Sequence, residues 1–196
     1  RAVVAPGPVA LPLLSVGGLV LCLWRGRGRW LGAGLLAVSV VTWGQAGRPP
    51  LLVSDTGTLV GLMTPQGRAL SRRSGSGFIA GVWLENDGHG LTQERSDALW
   101  PGTVSERIAR AQFGPHEVVH LQGKRAAQAF GRCHAGQIVV QSTDDPVPGD
   151  CLKLTPATLR ESGSLALWPG ESAGTGPVMT SAVDRAGHRV WLGASQ

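Results

Sequence analysis

No acidic residue occurs in the first fifty positions of this chain, and none of its three cysteines stands in metal-ligand spacing to another. There is no Walker motif, no dinucleotide-binding fingerprint and no nucleophile elbow, so the common signatures of nucleotide-dependent and serine-hydrolase chemistry are missing. No internal repeat and no heptad pattern is present, which excludes solenoid and coiled-coil architectures. The chain opens on Arg1 rather than methionine and is expected to be the tail of a longer protein.

What is there is sharply partitioned. Between Ala2 and Gly47 the only charges are Arg25, Arg27 and Arg29. With Arg1 and Arg48 they account for the whole net charge of +5, because thirteen acids balance the thirteen basic residues that remain. A basic pI ordinarily suggests a nucleic-acid partner, since phosphates need a clustered cationic face. Here the surplus lies in and around an apolar segment, so charge alone implies no such partner.

The charge-free run from Ala2 to Trp24 would span about 34 Å as a helix, against a hydrocarbon core of roughly 30 Å. Pro6, Pro8 and Pro12 place the expected helix start near Pro8, proline being suited to a first turn. Trp30 to Ala46 would reach about 25 Å, within the tolerated range if its flanks lie at the interface. Gly17, Gly18, Gly32 and Gly34 suit close helix packing, and Trp24, Trp30 and Trp43 sit at segment ends. The expectation is a transmembrane hairpin within residues 1–48, with helices at about 6–24 and 30–46. Its alternatives are a pair of buried core helices or a cleaved signal peptide, the latter disfavoured because the arginines follow the apolar core. Arg25, Arg27 and Arg29 would then be topology determinants, holding the turn in the cytoplasm. Residues 51–196 would form a non-cytoplasmic domain, in a bacterium periplasmic, behind a multi-pass inner-membrane anchor. Cys133 and Cys151 would lie where a disulfide can persist, with buried free thiols as the alternative.

The expected fold class is α+β. Leu51–Ser54 and Thr58–Met63 read as strands around an Asp55-Thr-Gly57 turn, and Gln66-Gly67 as a second turn. Phe78–Leu84 has apolar residues at helical spacing after a Ser/Gly start. Residues 86–102 read as loop or frayed helix. Thr103–Gln112 and Glu117–Leu121 flank the turn Phe113-Gly-Pro115. Lys124–Phe130 and Thr155–Glu161 read as helices, Gln137–Gln141 as a buried strand, Asp144–Asp150 as loop. Leu165–Trp168 and Val178–Val183 read as late strands.

His116-Glu117-Val-Val-His120 is the sharpest motif. On a helix it would place both imidazoles on one zinc ion with Glu117 activating water, the arrangement of a membrane-tethered metallopeptidase. Against this, Ala126 stands where the long motif has its third histidine, and Val-Val between turn signals favours a strand. On a strand the histidines would lie about 13 Å apart, too far to share one ion. A strand is therefore the preferred reading, with no cofactor implied. Ser71-Arg-Arg-Ser-Gly-Ser-Gly77 could form an anion-binding nest at a helix start, or simply a cap and loop. Asp144-Asp145, His89, His134 and His188 read as surface or structural.

The order of segments resembles a known family. An apolar hairpin ends in Gly47-Arg-Pro-Pro-Leu-Leu-Val-Ser54, followed by Gly57-Thr-Leu-Val-Gly-Leu-Met63 and Gly67-Arg-Ala-Leu70. Then come Trp83 within Phe78–Asp87, Cys133–Val140, Cys151, Gly163–Trp168 and Asp184–Trp191. This looks like the carboxy-terminal end of the ComEC family of competence proteins, most like alphaproteobacterial members. The resemblance implies a fragment of an inner-membrane channel for uptake of single-stranded DNA during transformation. Its implied partners are that DNA, the lipid bilayer and other competence proteins. Family members often end in a metallo-β-lactamase-like domain. This chain has no H-x-H-x-D-H run, so a degenerate domain of that kind is implied and no catalytic residue is carried over. A membrane-anchored structural domain of unrelated function is the remaining alternative.

Overall fold

Apolar residues without caps form the first two helices, α1 (Ala10–Leu23) and α2 (Arg29–Gly44), in a computed structural model that describes residues 7, 9–45, 47–88, 90–172 and 174–187. Neither helix has a side-chain N-cap. Trp24 leaves the helical region at φ −84°, ψ 129°, and Gly26 at φ +85° turns the chain back. The pair is closest where side chains are missing. A Cβ on Gly32 would stand 2.7 Å from the Gly17 carbonyl oxygen and 2.6 Å from the Leu21 nitrogen. Ser39 seals the open end by donating a 2.7 Å hydrogen bond to the Ala10 carbonyl. The buried positions of the pair, Ala10, Gly17, Gly32 and Ser39, are all small.

The hairpin forms among the described residues, but its helices are shorter than the transmembrane pair expected from the sequence. Among the described residues no helix is long and apolar enough to cross a membrane. The fourteen residues of α1 rise about 21 Å and the sixteen of α2 about 24 Å, short of the roughly 30 Å hydrocarbon core. The charge-free run overstated the helix because α1 starts at Ala10 and the turn removes Trp24 to Gly28. The expected start at Pro8 and end at Ala46 lie outside the described residues. The multi-pass inner-membrane location falls with the spans; Arg25, Arg27 and Arg29 are exposed at the turn.

The chain divides at Arg48–Pro49 into two compact units, the first also taking in residues 86–88. The second unit is α+β. Its elements run β1 (Leu51–Val53), β2 (Val60–Thr64), β3 (Gly67–Leu70), α3 (Gly77–Asn86), α4 (Gln93–Asp97), β4 (Thr103–Ser105), β5 (Ile108–Phe113) and β6 (His116–Leu121). They continue with α5 (Lys124–Phe130), β7 (Gln137–Gln141), β8 (Leu152–Leu154), α6 (Pro156–Ser162), β9 (Leu165–Trp168), β10 (Val178–Ser181) and α7 (Ala182–Ala186).

One sheet has the order β10-β9-β1-β2-β3, all antiparallel. The other has the order β4-β5-β6-β7-β8, antiparallel up to β6 and parallel beyond. Both sheets contribute to one buried cluster, Leu51, Val53 and Leu167 from the first meeting Val118, Ile138 and Val140 from the second. Alternation then assigns the other faces. Val119, Leu121 and Val139 pack with Ala126 and Ala127 of α5, while Leu59 and Leu70 pack with Ala80 and Leu84 of α3. Strand β7 is buried on both faces, which is why it reads as an unbroken apolar run rather than an alternating one.

Several elements differ from the sequence expectation. Residues 103–112 split into two strands because Glu106 and Arg107 turn the chain at φ +48° and +65°, conformations that non-glycine residues rarely reveal in sequence. Residues 182 and 183 open α7 instead of continuing β10, since the Ser181 hydroxyl caps the Asp184 N–H at 2.9 Å. Strands β3 and β8 carry no strong sequence signal and are additions, while α4 is the ordered part of the stretch 86–102 read as loop or frayed helix.

Candidate anion-binding cleft

The end of β3 and the turn that follows carry two adjacent arginines, Arg72 and Arg73, ahead of α3. A cleft of about 460 Å³ opens beside them. Arg72, Arg73 and Ser74 form one wall, and Arg107, from the β4–β5 turn, forms another. Thr58, Ser71, Gln122 and Ser142 add uncharged polar groups to the lining. Asp97, at the end of α4, is the acid of the lining, so three guanidiniums face one carboxyl. Burial pushes the Asp97 carboxyl up, and the neighbouring Arg73 pulls it part of the way back. Among the described residues none of the three arginines stands in a salt bridge.

The backbone behind Arg72 is fixed by three side chains from elsewhere in the chain. Gln122 donates its amide to the Ser71 carbonyl at 2.8 Å, while its own N–H donates to the Arg107 carbonyl at 3.0 Å. One residue thus ties together both arginine-bearing segments. Gln93 donates to the Arg72 carbonyl at 3.0 Å and to the Gly75 carbonyl at 2.6 Å. The Ser76 hydroxyl, on a residue at φ +55°, bonds Thr58 at 2.9 Å.

His120 holds Ser71 from beneath. Its Nε2 lies 3.0 Å from the Gly57 carbonyl, which can only accept, so the proton sits on Nε2. Nδ1, 2.8 Å from Ser71 Oγ, then accepts the hydroxyl proton, and the same Oγ accepts the Val60 N–H at 3.0 Å. His120 is fully buried. Burial pushes its pKa from 6.5 down to about 4; the Gly57 bond opposes this and Arg72 reinforces it. The imidazole is therefore neutral at ordinary pH and both its nitrogens are satisfied.

This geometry disperses the sequence motif His116-Glu117-Val-Val-His120. It forms β6, with His116 and His120 on the face toward the first sheet and Glu117 on the other. Glu117 pairs with Arg110 at 3.3 Å and accepts from Gln137 at 2.6 Å. His116 Nδ1 lies 3.2 Å from the Gly136 carbonyl, and its buried Nε2 has no hydrogen-bond partner among the described residues. The described residues contain no group of three potential metal ligands. Cys133 and Cys151 form a disulfide with Cα atoms 5.9 Å apart. Asp144 caps α6 through the Ala157 N–H at 2.9 Å and reaches Arg160 at 3.4 Å, while Asp145 pairs with Lys124 at 3.8 Å. His134 is exposed; His89 and His188 lie outside the described residues.

The nest-like stretch from Ser71 to Gly77 was visible in the sequence, but its companions were not. Arg107 comes from a turn more than thirty positions on, and Gln93 and Gln122 carry no motif. Only the sheet pairing that brings β4, β5 and β6 to this edge unites them. Chemically the cleft offers fixed positive charge, which suits an oxyanion, while the Ser71 hydroxyl and the Gln122 amide are engaged by His120 and the Ser71 carbonyl. Its nearest histidine is locked in the core and offers no base to it.

No protein-family profile, no curated protein and no solved structure matches this chain. The kinship to a metallo-β-lactamase-like domain therefore has no support from a known structure.

Proposed function

We propose that this chain is part of a ComEC-like protein of DNA uptake, and that its α+β unit is a non-catalytic module that holds single-stranded DNA by its phosphates. The observation that carries this reading is the cleft of Arg72, Arg73 and Arg107, three guanidiniums without a salt-bridge partner among the described residues. Its lining has no aromatic side chain on which a base could stack. Binding would thus be electrostatic and indifferent to sequence, as a transport role requires. The resemblance in segment order supplies the biological setting. The peptidase alternative gains nothing from the geometry, because Glu117 and the two histidines occupy opposite faces of β6.

The test is fluorescence anisotropy of the full chain with a labelled oligothymidylate across a salt series. Three neutralised phosphates would give a log–log slope of about −2 for a single strand. The triple variant Arg72→Ala, Arg73→Ala, Arg107→Ala should lose both the affinity and the slope. Absent binding at low salt, or binding that survives the triple variant, would overturn the reading. In cells, the same triple variant should reduce uptake of labelled DNA.

A further inference from the structure

Charge in the cleft explains attraction but not why the arginine-bearing turn is so heavily tied. Three carbonyls of that turn would work against an anion. The Ser71, Arg72 and Gly75 carbonyls are negative dipole ends, and Gly75 and Ser76 lie in the left-handed region at φ +86° and +55°. A turn of this kind, left alone, samples several shapes and can aim carbonyl oxygens at the ligand.

Each of these carbonyls is answered by a side chain. Gln93 covers the Arg72 and Gly75 carbonyls at 3.0 and 2.6 Å, and Gln122 covers the Ser71 carbonyl at 2.8 Å. Beneath them the Ser71 hydroxyl is pinned to His120, itself anchored on Gly57. Ser71 and His120 are completely buried, so this anchorage is shielded from water. The bonds link α4, β6 and the β1–β2 turn to one short segment, and none of them engages a guanidinium.

We infer that Gln93 and His120 are positioning residues for the cleft: they hold the Arg72–Arg73 backbone in its binding shape with its acceptors turned away from the anion. This rests on the reading of the cleft as a phosphodiester site. The ordering cost of the turn is met when the chain folds, so a phosphate backbone meets guanidiniums already in place.

Positioning and charge leave different signatures in a salt series. Removing an arginine lowers affinity and flattens the slope by about 0.7 per lost phosphate contact. Removing a positioning residue lowers affinity while every arginine, and hence the slope, remains. With the labelled oligothymidylate and the full chain, Gln93→Ala should weaken binding about five- to tenfold with an unaltered slope. His120→Asn should act in the same direction, and Gln93, being only half-buried on a short helix, supplies the variant that keeps its fold. Arg72→Ala is the control that must both weaken binding and flatten the slope by about 0.7. If the wild type binds, the arginine variant fails, and Gln93→Ala stays within about twofold of wild type, the inference is overturned and the cleft reading stands. A slope that flattens in Gln93→Ala overturns it too. A wild type that does not bind overturns the cleft reading and this inference with it.

Discussion

The Ser71 hydroxyl donates to Nδ1 of His120 at 2.8 Å across forty-nine positions of sequence, joining the residue after β3 to the penultimate residue of β6. It is a fully buried bond between the two sheets, and it lies directly behind the arginines of the cleft.

Its dependence on pH has a definite sign. His120 takes a proton in the folded chain only near pH 4, whereas the unfolded chain takes one near 6.5. Below 6.5 the unfolded state therefore binds more protons, so this contribution is complete above pH 6.5 and is lost as pH falls toward 4. The loss should be roughly 3 kcal/mol across that window. Urea unfolding at several pH values, wild type against His120→Asn, isolates it; parallel curves for the two proteins would refute the assignment.

Gly57 supplies the other end of the same clasp. It sits at φ +64°, and a Cβ there would collide with the Gln141 carbonyl oxygen. Gly57→Ala should cost at least about 2 kcal/mol, combining left-handed strain with the clash. Thermal unfolding measures it, and an unchanged midpoint would contradict the turn geometry.

The Cys133–Cys151 bond closes a loop of eighteen positions. In the chain-entropy view such a loop is worth about 3 kcal/mol. Paired Cys133→Ala and Cys151→Ala replacements should lower the urea midpoint accordingly, and reductant should do the same to the wild type only.

Zinc should be without effect. With His116 and His120 facing the core and Glu117 engaged by Arg110 and Gln137, the motif presents no joint site. A ligand at about one hundred times its Kd would add about 2.7 kcal/mol, so thermal unfolding with added zinc or with chelator is a sensitive check. A stabilisation by zinc that His120→Asn abolishes would restore the metal reading.

Where the chain wrote local rules, the elements were readable. Asp55-Thr-Gly57 turns β1 into β2, Gly114-Pro115 turns β5 into β6, and Thr155-Pro156 starts α6 with a capping box. The apolar run of β7 was legible as a buried strand because both its faces meet side chains. The hairpin misled because hydropathy counts residues without charge, while helix length is set by where Trp24 and Gly26 leave the helical region. The Glu106-Arg107 reversal was hidden because left-handed backbone at non-glycine residues has no sequence mark. The cleft was half legible: a Ser/Gly stretch with two arginines stood out, but its third arginine and its glutamine ties arrive through strand pairing, which spacing along the chain does not encode.

The loop closed by Cys133 and Cys151 contains the whole of β7, a strand with neighbours on both sides. A protease that cuts the Asp144–Asp150 segment would therefore leave two pieces still joined covalently. On a denaturing gel the nick would be invisible until reductant was added, when fragments meeting at that segment would separate. A clipped preparation could thus pass for an intact one, so integrity should be judged on reduced samples.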